Sequence, residues 1–149
     1  MSNPSVDFKE QLTEHLRELH LPTIRRCFED KARHAERETL SYERYLHELA
    51  ELECQARREN RIARLLQASR LPLEKNLENF DLKRLPVKLG RQVKTLLDGT
   101  FLDRRENVLA FGNPGSGKTH LLCALCQELI RQDRRVLYTT CTRLVQELL

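Results

Sequence analysis

Eight consecutive residues, Gly112, Asn113, Pro114, Gly115, Ser116, Gly117, Lys118 and Thr119, fit the spacing G-x-x-x-x-G-K-[ST]. Three of the chain's 5 glycines stand at 112, 115 and 117. There, backbone N–H groups can turn inward around phosphate oxygens with no side chain in the way. Lys118 is placed to reach the β- and γ-phosphates of a nucleoside triphosphate, and is the one catalytic candidate. The Thr119 hydroxyl is placed to ligate the Mg²⁺ that bridges those phosphates. The competing reading is a Gly-rich turn joining two elements, but Lys and Thr are not the residues a turn alone selects. ATP and Mg²⁺ are therefore the expected cofactors.

This loop needs a strand before it and a helix after it. Asn107-Val108-Leu109-Ala110-Phe111 reads as a short buried strand, and residues 121–132 read as a helix whose positive dipole end opens at Gly117. A second strand is expected at residues 135–139, with a further helix from Thr142.

Upstream the pattern is helical. Asp7 and Glu10 form a capping pair for a first helix carrying Leu12, Leu16 and Leu19. Pro22 suits the first turn of a second helix ending near Arg37. Ser41 is an N-cap for a long third helix, whose apolar face runs through Tyr45, Leu49, Leu52, Ala56, Ala63 and Leu66. Leu71-Pro72-Leu73 ends it, and another helix is expected over residues 87–98, stopped at Gly99. The expected division is a helical domain at 1–70, a linker at 71–86 and the start of an α/β nucleotide-binding domain at 87–149.

Two basic stripes stand out. Arg57, Arg61 and Arg64 follow one helical face with Arg58 beside them. Residues 83–94 hold Lys83, Arg84, Lys88, Arg91 and Lys94 and no acid. With no interleaved aromatics they suit contact to a nucleic-acid backbone more than reading of bases. A solvated helix face explains such runs equally well, and a net charge of +4 does not choose between them.

The 5 cysteines, an odd and scattered set, argue against a disulfide framework. Cys123 and Cys126 have C-x-x-C spacing but lie inside a helix with no second ligand pair, so packing is preferred to metal or redox chemistry. His120 is read as structural. No apolar run approaches the ~20 residues that span a bilayer and no apolar leader opens the chain, so a cytoplasmic protein without a membrane partner is expected.

Residues 106–121 with the phosphate loop, Arg135 to Thr140, and Leu144-Val145 resemble the IstB-like ATPases. These are helpers of insertion-sequence transposition related to the DnaC helicase loaders and the AAA+ group. The resemblance extends upstream through Arg57-Arg58-Glu59-Asn60, Ala68-Ser69-Arg70-Leu71-Pro72 and Leu77-Glu78-Asn79-Phe80-Asp81. It implies an AAA+ parallel sheet, begun but incomplete in this chain, and ATP-driven assembly on double-stranded DNA by a homo-oligomer that regulates a transposase. By position it implies that residues 112–119 bind ATP and that Phe80 borders the adenine, with packing under the linker the alternative for Phe80. An ATPase of this class also needs an acidic strand end, a polar sensor and an arginine from a neighbouring subunit. None is found here, which leaves three readings: the helper ATPase, a truncated fragment that binds DNA or transposase without hydrolysis, and a DnaC-like loader serving replication.

Overall fold

The computed structural model describes the backbone from Pro4 to Leu149 and side chains from Phe8 onward. Seven α-helices follow one another: α1 (Pro4–Glu18), α2 (Pro22–Arg37), α3 (Tyr42–Ser69), α4 (Val87–Leu97), α5 (Thr100–Asp103), α6 (Lys118–Arg131) and α7 (Cys141–Leu148). The chain forms two compact units, Met1–Arg61 and Ile62–Leu149, and α3 supplies its last two turns to the second.

In the first unit, α2 starts at Pro22 because proline's missing N–H costs nothing at a helix start. Its remaining N-terminal donors are met from a distance. The residue before it, Leu21, offers no side-chain cap, and the Glu53 carboxylate of α3 accepts from Thr23 N at 2.8 Å and Ile24 N at 3.1 Å. Arg57, one turn along α3, donates to Glu53 at 3.2 Å and to His20 O at 2.6 Å. The Tyr45 hydroxyl donates to Phe28 O at 3.0 Å. Leu16 and Leu49 supply the buried apolar contacts.

In the second unit, α6 is the centre, with Cys123, Ala124, Leu125, Gln127, Leu129 and Ile130 buried. Cys123 and Ile130 pack with Leu71 and with Ile62, Leu65 and Leu66 from the end of α3. Leu125 and Leu129 pack with Phe101 of α5 and with Leu96 and Leu97 of α4. Gly99 makes the tight turn between α4 and α5 at φ 72°, and a Cβ there would meet Leu129 and the Gln132 side chain at 3.2 Å. The Cys123 and Cys126 thiols are both pushed up by burial, which suits packing groups.

Several expectations are corrected. No strand forms among the described residues, so neither 107–111 nor 135–139 is part of a sheet. A strand needs a partner, and Tyr138 N instead donates to Ser69 O at 2.7 Å, at the end of α3. Alternate residues still face in opposite directions: Val136 and Tyr138 pack inward while Leu137 is exposed. Leu19 is exposed, because α1 ends at Glu18 and His20 turns the chain at φ 54°. Ala63 is exposed as well, the inward positions of α3 there being Ile62, Leu65 and Leu66. Asp7 falls inside α1 and not at a cap, and its side chain lies outside the described residues. Helix α5 and a 3-10 turn at Leu82–Arg84, capped by Asp81, have no counterpart in the sequence pattern.

Burial alone would raise the Glu53 pKa, but the Ile24 N–H, the Arg57 guanidinium and the Thr23 N–H together hold it below the ordinary 4.5. A carboxyl whose folded pKa is depressed adds stability above its unfolded value and loses it as pH falls toward the folded one. Glu53→Gln is expected to cost about 1–3 kcal/mol at neutral pH. In thermal unfolding the gap between wild type and variant should shrink as pH falls below 4.5. A pH-independent gap would mean that the charge is not what holds α2.

Candidate functional site: a glycine-rich loop on a helix N-terminus

The loop of residues 112–117 enters α6 through Gly117, at φ 86° and ψ 7°. Gly115 stands at φ 79°. Both conformations are left-handed, where an L side chain is strained. A turn closes the loop from Ser116 N to Asn113 O at 3.2 Å. Beyond it, the first N–H groups of α6 lie outside the helix's own ladder and carry the positive end of its dipole.

Lys118 crosses the loop. Its ammonium donates to Gly112 O at 2.9 Å, Asn113 O at 2.8 Å and the Ser116 hydroxyl at 3.3 Å. All three partners are neutral oxygens, so its three donors are used with no carboxylate of the described residues among them. An arriving phosphate oxygen would exchange one of these bonds for a charge-assisted one, roughly twice as strong. Thr119 is exposed on the first turn of α6. No group of three His, Cys, Asp or Glu side chains arranged to hold a metal occurs among the described residues.

A cavity of about 900 Å³ opens beside the loop, and Phe80, Val108, Gly112, Gly117, Lys118 and Leu125 are among the residues that line it. Phe80 reaches it because the segment before it is tied to α6. The buried Gln127 amide lies 3.3, 3.4 and 3.1 Å from the carbonyls of Pro72, Leu73 and Lys75 and shares its two hydrogens among them. Nε2 of His120 lies 3.0 Å from Asn76 O. The Phe80 ring meets the His120 ring edge-on, with centroids 5.2 Å apart. Sequence spacing does not single out Gln127 or His120 as supports of the site. A polar residue on the buried face of an otherwise apolar helix is the available signal for Gln127.

The basic stripes do not stand alike. Arg58 and Arg64 are exposed on α3, as is Arg61, which has a bonded partner of its own. Arg57 is instead held by Glu53 and the His20 carbonyl. Lys88, Arg91 and Lys94 are exposed on α4 around the face opposite the buried Val93. Arg84 is paired with Asp81 at 3.1 Å.

A glycine-rich loop closing on a helix N-terminus, with its lysine laid across the loop, is the arrangement of the P-loop class. The chain belongs to the IstB-like ATP binding protein family, whose model matches residues 14–149. It is 34% identical to an insertion sequence IS5376 ATP-binding protein of Geobacillus stearothermophilus, over 94% of this chain and 56% of that one. It is 40% identical to an insertion sequence ATP-binding protein of Sinorhizobium fredii, over 89% of this chain and 45% of that one. An insertion sequence IS21 ATP-binding protein of Pseudomonas aeruginosa is 34% identical over 77% of this chain and 43% of its own. The chain spans about half the length of these curated relatives.

Removing Gln127 would take one donor from the carbonyls of Pro72 and Leu73, which keep Lys75 N and Asn76 Nδ2, and would take from Lys75 O the Gln127 amide. Gln127→Leu is expected to lower stability by about 1–3 kcal/mol. In hydrogen exchange, residues 72–80 should lose protection before α6 does. A uniform drop in protection over both would place Gln127 in the general core.

Proposed function

We propose that this chain binds ATP with Mg²⁺ through residues 112–119 and serves as an ATP-dependent helper of DNA transposition. The observation that carries the reading is Lys118, a cation held across a left-handed glycine loop at a helix N-terminus. Lys118 would meet the terminal phosphates, Thr119 would ligate Mg²⁺, and the loop N–H groups would surround the phosphate oxygens. Bound Mg²⁺ would neutralise charge between the β- and γ-phosphates. The names of the relatives favour transposition over helicase loading. In that role the protein would assemble as a homo-oligomer on double-stranded DNA in the cytoplasm and regulate a transposase. No helix of the described residues is long and apolar enough to cross a membrane. We also assign residues 1–70 to a helical module, 71–86 to a linker and 87–149 to the start of an AAA+ domain, whose parallel sheet would need strands that the described residues do not form.

DNA contact is assigned to Arg58, Arg61 and Arg64 on α3 and, separately, to Lys88, Arg91 and Lys94 on α4. Arg57 stands on the same stripe, but its guanidinium also serves Glu53 and His20, so DNA would have to compete with those bonds.

Lys118→Ala is expected to remove measurable ATP affinity in an equilibrium titration while leaving the unfolding temperature unchanged. Unaltered affinity in the variant would refute the site. For DNA, neutralising Lys88, Arg91 and Lys94 to Gln should flatten log affinity against log salt by about 0.9 for each DNA phosphate that a side chain ceases to neutralise. An unchanged slope would make this stripe a solvated face.

A further inference from the structure

We propose that the Phe80–His120 ring pair is a buttress that sets the shape of the phosphate loop, so that both are positioning residues for the phosphate end of a ligand and not for its base. The inference rests on the nucleotide-site reading above and assigns a role that the loop pattern does not contain. Its geometric basis is the contact between Phe80 and Gly117. A Cβ built on Gly117 would lie 3.3 Å from Cε2 and 3.9 Å from Cζ of Phe80, so the ring rests against the backbone of the last loop glycine. That glycine is both the left-handed cap of α6 and the neighbour of Lys118. Gly115 has nothing within 4 Å of its own Cβ position, so the support falls on the Gly117 side of the loop.

Phe80 is in turn fixed from behind. His120, three residues beyond Gly117 on α6, presents its ring to the edge of Phe80 at an interplanar angle of 67° and bonds Asn76 O through Nε2. The chain from Asn76 to Phe80 is stiffened by Asn79 N donating to Asn76 Oδ1 at 2.9 Å and by Phe80 N donating to Leu77 O at 3.2 Å. One histidine therefore joins three things: the first turn of α6, the segment before Phe80, and the ring that supports Gly117. Withdrawing the ring would free Gly117 to sample the wide conformational range open to glycine, and Lys118 with it. An edge-on pair of this kind contributes enough to shift an equilibrium by about three- to tenfold.

The test uses the full chain with two probes: ATP with Mg²⁺, and inorganic tripolyphosphate with Mg²⁺, which has the phosphates but no base. The variants are Phe80→Leu, Phe80→Tyr, His120→Gln and the control Lys118→Ala. Phe80→Leu and His120→Gln should each weaken both probes by the same factor, about three- to tenfold, and Phe80→Tyr, which keeps the ring, should restore both. Loss of ATP binding with tripolyphosphate unaffected would overturn the proposal and make Phe80 a base contact. Unchanged affinity for both probes with a lowered unfolding temperature would overturn it in favour of plain packing. If Lys118→Ala weakens binding while Phe80→Leu and His120→Gln do not, the buttress fails and the nucleotide site stands. If the wild type binds neither probe, or binds them independently of Lys118, the site itself fails and the buttress with it.

Discussion

The burial of α6 on two flanks is the constraint on which the second unit depends. Cys123 and Ile130 are committed to the end of α3, and Leu125 and Leu129 to α4 and α5. A helix held on both sides has little freedom to rotate or slide, because interior packing leaves no space for either. Its first residues are then fixed too, and those are Lys118 and Thr119. The cation of the loop is placed by the packing of residues one to three turns away, not by its own contacts, which are three neutral oxygens. Polar groups finish what apolar packing begins: Gln127, buried on the same helix, draws in the carbonyls of Pro72, Leu73 and Lys75 from a segment with no helical or strand ladder of its own.

The first unit solves a related problem with a charge. A carboxylate taken out of water is costly to bury, and Glu53 is tolerated because two backbone donors and one guanidinium converge on it. The same arrangement engages Arg57 within the unit, so that a polyanion would have to compete for it with Glu53 and the His20 carbonyl. Spacing along α3 puts Arg57, Arg61 and Arg64 on a common stripe, but spacing cannot show that Arg57 answers to a carboxylate and a carbonyl 37 residues away.

What is legible in the sequence is what is decided locally. The start of α2 at Pro22 and the Ser41 cap of α3, which accepts from Arg44 N at 3.3 Å, depend on residues within one turn. The left-handed turn at Gly99 and the loop glycines are decided by single residues. What is not legible depends on distant partners. Residues 107–111 and 135–139 have strand-like composition, but composition supplies no ladder, and here no second strand meets them. The apolar stripe of α3 misleads at Ala63 because small residues fit either face, whereas Ile62 and Leu65 have a core to reach. Segment 71–86 reads as an interrupted linker, and nothing local reveals that a buried glutamine and a histidine from α6 hold its first half in place.

The shape of the glycine loop and the formation of a sheet are separable among the described residues. Val108, from the segment before the loop, packs against Phe101, Leu125 and Leu129, while Leu109 and Phe111 of that segment remain exposed. The loop nevertheless has its left-handed glycines and its lysine in place, because its shape is set from the helix side. Binding an anion needs only donors and positive charge converging on one point, which a loop and one helix end supply. Hydrolysis asks for more, since an acidic group must be held across the phosphate from the lysine to position water and complete the metal site. In a P-loop fold that group stands at the end of a paired strand, so it can be held only by a ladder. The geometry of the loop is therefore carried by residues 76–131, and it is complete without any partner for 107–111.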